Sequence, residues 1–440
     1  MSVAWSPLLT GPSAARARGV LDCLAADLVR FAEVEPILAT PPAPPRFSLV
    51  GLEGFAGIAL FLTYLDRSRG TDGFGDASCL ALERAIDALR DVPAHAGLHG
   101  GFSGLAWTVE HLQGPEPDPD DPGSAIAERL YEHLEQTPWQ RDYDLIGGLV
   151  GFGIWALERM PRPRGAESLG RVVRRLAELV EETPQGLTWR TPRHRLPRHQ
   201  QERFPEGHWN LGVAHGVPGV LAVLAEAHAA GIERAQAARL LDRAVPWLLA
   251  QRSRPESGEA RFPFFVAPDV DPEPSGFAWC YGDLGIAPAL LAVARRLERP
   301  DWEAEAIELG LGVARRGLPA SGDRGRGDAC LCHGAAGNGH LFHRLYRATG
   351  QERFAEAAVA WFDRALSLHS PDRGLGGFLF WDADAEDNLS LESLPGFLNG
   401  SAGVGLALLA ATTDTVPEWD RLLLSAVQAA GAAYQSTARK

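Results

Sequence analysis

Cysteine and histidine are the side chains that most readily hold a soft metal ion, and this sequence sets them in matching contexts. The runs Trp279-Cys280-Tyr281-Gly282 and Cys332-His333-Gly334 each lead straight into an apolar stretch, as does Ala214-His215-Gly216. Cys280, Cys332 and His333 together make a Cys₂His set suited to Zn²⁺. Three protein ligands leave a fourth position open, the mark of a catalytic rather than a structural zinc. Cys330, two residues before Cys332, could replace it as a ligand. The plainer alternative is a chance Cys-His pair among buried free thiols. His215 reads locally as a core histidine, and Tyr281 as either a site hydroxyl or an aromatic filling the interior.

Residues this far apart can meet only if a repeat brings them together. Seven times the chain writes G-x-x-G followed at once by an apolar, helix-forming run, with first glycines at Gly54, Gly101, Gly148, Gly216, Gly282, Gly334 and Gly400. Their spacings of 47, 47, 68, 66, 52 and 66 residues signal a repeat architecture. Amphipathic stretches such as 166–182, 301–316 and 351–368 alternate with these runs. The expected fold is therefore all-α, an α/α toroid of seven inner and about seven outer helices, spanning 1–440 as a single domain. Eight outer candidates stand against seven inner ones, so one must close the ring. Poorly periodic, Pro/Gly-rich stretches at 185–213, 254–279 and 370–397 account for the long spacings. Each runs into a G-x-x-G, so long loops should gather where the inner helices begin. The glycines would let backbones approach closely around a crowded axis.

Aligned on the first glycine, the preceding residue is Glu53, Gly100, Gly147, His215, Tyr281, His333 or Asn399. One residue earlier stand Leu52, His99, Ile146, Ala214, Cys280, Cys332 and Leu398. In a toroid equivalent positions share one level around the axis, so Cys280, Tyr281, Cys332, His333 and His215 should converge. The repeat register favours Cys332 over Cys330. His95, His99 and His340 read as structural or surface residues, and the acidic 115–124 stretch as a solvated linker.

Composition narrows the function. The net charge of −14 argues against a nucleic-acid binder held by phosphate contacts. Lysine occurs once, at Lys440, which excludes a GxxxxGK[ST] phosphate loop and a lysine Schiff base. No run approaches a membrane span. The opening residues lack a basic segment followed by an apolar one, and five scattered cysteines make no disulfide scaffold. A cytoplasmic protein is expected.

The motifs WCYG (279–282), CHG (332–334) and AHG (214–216), with the sevenfold G-x-x-G, resemble the lanthionine synthetase C-like cyclases across essentially the whole chain. The resemblance implies an α/α toroid whose zinc is held by two cysteines and a histidine. It implies closure of thioether rings by addition of peptide cysteine thiols to dehydroalanine or dehydrobutyrine. Cys280, Cys332 and His333 match the family's metal ligands, His215 its catalytic histidine, Asp144 its catalytic aspartate and Tyr281 its active-site tyrosine. On local grounds Asp144 reads instead as a turn or N-cap carboxylate. One departure stands out: the family usually has an arginine four residues before the first zinc cysteine, where this chain has Gly276. The implied partners are a dehydrated precursor peptide with its leader, a separate dehydratase, and membrane-bound export machinery.

A free thiol has a pKa of ~8.5, and metal coordination deprotonates it. Its addition to an alkene leaves an enolate that needs a proton, for which a histidine is the natural donor. Three other readings compete. They are addition of a small thiol such as glutathione, a toroid glycosidase using Asp144, Asp283 and Glu53, and a binding scaffold without turnover. The cationic stretch 190–204 reads as a solvated loop, or as a dock for an acidic leader.

Overall fold

The computed structural model describes residues 5–34, 49–70, 73–91, 94–114, 120–253, 260–318, 327–383 and 388–427. Parts of two expected loops (254–259 and 384–387), part of the acidic stretch (115–119) and Lys440 lie outside these residues. Helices dominate. After α1 (Gly11–Glu33) come the hairpins α2 (Phe55–Arg69) with α3 (Phe74–Asp91), α4 (Phe102–Gln113) with α5 (Ser124–His133), and α6 (Leu149–Arg159) with α7 (Gly165–Leu179). The one-turn α8 (Arg198–Gln201) precedes α9 (Val217–Ala229) with α10 (Arg234–Ala250), α11 (Asp283–Arg296) with α12 (Pro300–Arg316), α13 (Ala335–Thr349) with α14 (Glu352–Ser367), and α15 (Ser401–Thr412).

Each apolar helix after a G-x-x-G packs on the next, and α15 packs back on α2, which closes an inner ring of seven. The outer ring also has seven helices among the described residues. The surplus is resolved by α1, which lies against α15 and completes the seventh hairpin. Sequence explains the two layers. In α15 every residue from Ser401 to Ala411 is buried, whereas α7 buries only one stripe, including Leu169, Val172, Val173 and Leu176. Each fully buried Leu or Val contributes roughly 1.5–3 kcal/mol, so the inner ring carries most of the core.

The second glycine of each motif has one specific task. A Cβ there would stand 1.8–2.5 Å from the carbonyl oxygen of Leu52, Leu98, Leu145, Val213, Trp279, Leu331 or Phe397, in the loop that precedes its own helix. The crowding thus lies mainly within each repeat rather than between neighbouring helices. The same folded-back loop caps the helix start with backbone, not side chain. Phe102 N donates to His95 O (3.0 Å), Ala335 N to Asp328 O (3.0 Å) and Ser401 N to Leu394 O (3.0 Å).

A second set of bonds runs around the ring. Amides of one repeat donate to the carbonyl two residues before the next first glycine: Leu98 to Ile146 (3.0 Å), Leu145 to Ala214 (3.0 Å), Trp279 to Cys332 (3.1 Å), Leu331 to Leu398 (2.9 Å), Phe397 to Leu52 (2.9 Å) and Glu53 to His99 (3.2 Å). Equivalent positions do share one level. Among the described residues the belt is broken only between repeats four and five, where Gly212 packs so close to Cys280 that a Cβ would lie 2.4 Å from its carbonyl.

The long loops gather at this end and contain three small antiparallel sheets. β1 (Glu181–Thr183) pairs with β2 (Gly186–Thr188), β3 (Trp209–Asn210) with β4 (Phe265–Val266), and β5 (Phe380–Ala383) with β6 (Leu389–Glu392). The β3–β4 pair ties the first long loop to the second. Inside the ring, the 3₁₀ segment Glu418–Leu423 and the residues after it touch several repeats. Trp279 Nε1 donates to Leu423 O (2.7 Å), Arg421 pairs with Glu158 (3.2 Å), and Asp420 accepts from His340 and Arg344. The acidic stretch is not wholly a solvated linker, since Asp121 joins Glu110 on the buried Arg159 guanidinium. No described helix is long and apolar enough to cross a membrane.

Candidate functional site

The ligand atoms of Cys280, Cys332 and His333 lie within 4.8 Å of one another, all three half-buried. Cys280 and Cys332 sit on the inter-repeat belt: Cys280 N donates to Cys332 O (3.2 Å), and Cys332 N to Leu398 O (3.0 Å). A hydrogen bond between the two sulfurs lowers Cys280 well below the ordinary thiol range and raises Cys332 well above it. Two soft sulfurs sharing one proton beside an imidazole are a donor set that fits Zn²⁺. Nε2 of His333 makes no hydrogen bond among the described residues and faces Asp328.

Cys330 is sorted to the other side of His333. With Asp328 it forms a second close group around that ring, and burial pushes its thiol up to about 11. Asp328 Oδ1 accepts from Cys330 N (3.1 Å), Oδ2 accepts from Trp381 N (3.1 Å), and Oδ2 lies 3.5 Å from His333 Nε2. The sulfur that meets Cys280 belongs to Cys332.

On the adjoining repeats, His215 Nδ1 lies 2.6 Å from Asp144 Oδ2, and Gly147 N donates to Asp144 Oδ1 (2.9 Å). Asp144 is thus both a turn carboxylate and the partner of His215. Burial alone would lower the His215 pKa, but the hydrogen bond and charge of Asp144 outweigh it and raise the ring above its ordinary value. The Tyr281 ring packs 6.2 Å from that of His215, and its hydroxyl accepts from Asn210 Nδ2 (2.8 Å). Burial raises this phenol, so it stays protonated.

Asn210, Asp328 and Tyr143 escaped the sequence reading. The first two share a signal with Asp142, His95 and Gly276: each stands six residues before a first glycine. Gly276 is exposed, and a Cβ there would meet nothing within 4 Å. The other carboxylates are engaged elsewhere. Asp283 accepts from Arg261 N (2.9 Å), Phe262 N (3.0 Å) and Arg316 Nη1 (2.9 Å), and Glu53 accepts from Leu398 N (2.9 Å) and Asn399 N (3.2 Å). His99 is buried between Phe397 and Trp279, as a structural residue would be.

Comparison with known proteins gives an independent result. Residues 51–424 match the family model described as lanthionine synthetase C-like protein. Among solved structures, nisin cyclase superimposes with a TM-score of 0.68 at 20% identity, over 93% of this chain and 97% of that one. A structure described as a sugar epimerase from a ruminal bacterium gives a TM-score of 0.44 at 11% identity, over 91% and 99%.

Proposed function

From the chain's membership of the lanthionine synthetase C-like family, to which it plainly belongs, we propose that it is a zinc-dependent cyclase forming thioether rings in a dehydrated peptide. One observation carries the reading: Cys280 and Tyr281 are consecutive, so the candidate metal-binding group and the His215–Asp144 pair are joined where the belt is broken among the described residues. Zn²⁺ held by Cys280, Cys332 and His333 would supply a Lewis acid that keeps a substrate thiol ionised at neutral pH. The reaction adds S–H across the alkene of dehydroalanine or dehydrobutyrine, with sulfur bonding Cβ and a proton going to Cα.

The chain's own groups suit the second half of that step. Asp144 occupies Nδ1 of His215, which leaves Nε2 as the nitrogen that delivers the proton, and the raised pKa favours the protonated ring. Tyr281 already accepts from Asn210, so its O–H is free to donate to the enolate oxygen. The substrate would be a precursor peptide modified beforehand by a separate dehydratase, in the cytoplasm.

Metal content by mass spectrometry tests the reading together with loss of free thiol in a dehydrated, cysteine-containing peptide. About one zinc per chain is expected, lost with activity in Cys332→Ala and in His333→Ala. A metal-free wild type that still cyclises would overturn it. Gly276 supports a second reading, in which the open space at the rim admits a small thiol such as glutathione. Glutathione adducts without ring closure would select it. The glycosidase reading loses support because Asp283 and Glu53 already hold backbone amides.

A further inference from the structure

The strongly cationic stretch of this acidic chain, residues 190–204, has no part in the chemistry above. Residues 192–207 leave the loop between α7 and α9 as a side excursion. Its neck is closed by Thr191 and His208, whose backbones exchange hydrogen bonds of 2.8 and 3.1 Å. That neck is fastened to the site on both flanks. On one, the hydroxyl of Tyr143, next to Asp144, donates to Trp189 O (3.1 Å) and lies 3.2 Å from Thr191 Oγ1. On the other, Asn210 holds the Tyr281 hydroxyl. Leu196 and Phe204 are buried beneath the excursion, with the Phe204 ring 4.9 Å from His208 and 5.6 Å from Phe265. Held at neck and underside, the excursion is a fixed shelf.

The upper face of this shelf carries Arg193, His194, Arg195, Arg198 and His199, all exposed. Arg203 is committed to Glu273 (2.8 Å), and Arg193 Nε donates to Gln201 O (3.0 Å). The guanidinium groups of Arg195 and Arg198 make no hydrogen bond or ion pair among the described residues. Arg195 nevertheless stands close enough for its charge to act on Asp142, two residues before Asp144. In a chain of net charge −14, the exposed guanidinium groups of Arg195 and Arg198 form a local attractor for an anion.

We propose that this shelf docks an acidic segment of the peptide substrate, away from the residues that react, and so holds the peptide beside His215 and Asp144. The proposal rests on the peptide-substrate reading above. A peptide fits better than an anionic membrane. Glu202 and Glu206 are exposed among the arginines, and the large apolar side chains of the excursion, Leu196 and Phe204, face inward.

Fluorescence anisotropy with two synthetic peptides tests it. One has an Asp/Glu-rich segment and the other Asn/Gln in its place; both carry alanine at the reactive position, so binding is read without turnover. The acidic peptide should bind about tenfold more tightly at low salt. The advantage should vanish at about 0.5 M salt and in the triple variant Arg193→Gln, Arg195→Gln, Arg198→Gln. The substituted side chains are exposed, and an unchanged thermal unfolding curve checks the fold. Equal binding of the two peptides to the wild type overturns the proposal, as does an undiminished preference in the triple variant. Loss of binding to phosphatidylglycerol vesicles in that variant, with peptide binding intact, overturns it in favour of a membrane. Because the peptides are unreactive, a failure to form thioethers would sink the cyclase reading and leave this result standing.

Discussion

Two of the histidine–carboxylate pairs in this ring, of nearly equal length, behave in opposite ways. At the loop end, His215 lies 2.6 Å from Asp144, with the histidine side chain 43% exposed. Inside the ring, His340 lies 2.8 Å from Asp420, and both side chains are wholly buried. Asp144 raises the pKa of His215 against burial, through its hydrogen bond and its charge. Burial lowers His340, and Asp420 cannot restore it because Arg344 claims the same carboxylate. One pair is left able to carry a proton, while the other is a neutral ring on an Arg–Asp ion pair that clamps the 418–423 segment. The difference lies in what else the carboxylate must hold, not in the residue types.

The comparison can be broken most severely at the exposed pair. His215→Ala should reduce kcat/KM by about 10²- to 10⁴-fold while leaving the urea unfolding midpoint unchanged; a matching loss of stability would mean that this pair, too, is structural. Asp420→Ala should do the reverse. It strands the buried Arg344 charge and costs about 3–5 kcal/mol, read as a lower unfolding midpoint, with kcat per folded molecule retained.

Asp144→Asn sharpens the contrast through pH. The Asp144 carboxylate raises His215, and under the proposed mechanism the protonated ring is the active form, so activity should fall as pH rises through that pKa. The variant should move this falling limb to lower pH, and an unmoved limb would show that His215 does not set the profile. Gly276→Arg should have the smallest effect. With no neighbour to displace, it should change stability by no more than ~0.5 kcal/mol, and a guanidinium at the rim should favour ring closure over glutathione addition in a competition assay.

The contrast also marks how far sequence carries. The level shared by Cys280, Cys332, His333, His215 and Tyr281 was legible because a repeat fixes register, and register in a closed ring fixes place. Asn210 and Asp328 needed only a reading six residues before the glycines instead of two. Other features have no periodic signature. The short strands hide in Pro/Gly-rich loops, and Asp121 looks like part of a solvated linker until Arg159, in the next repeat, folds against it. The 418–423 segment is apolar enough for a helix face, yet it is drawn inside the ring by Arg344 and Glu158, partners that no local pattern indicates. The reason for the glycines was read too loosely, since the contact that demands them lies within one repeat.

The pairing of α1 with α15 has a consequence for how the chain is made. An open array of hairpins can grow one unit at a time, each new unit covering the last. Here α1, whose main partner is α15, must wait for the last inner helix of the ring before its face is fully covered. Vectorial folding therefore gives an open arc until α15 has been made and the seam shuts. A circular permutant in which α1 follows α15 and the 418–423 segment in sequence would make the seam a more local contact, and it should fold faster without altering the finished ring.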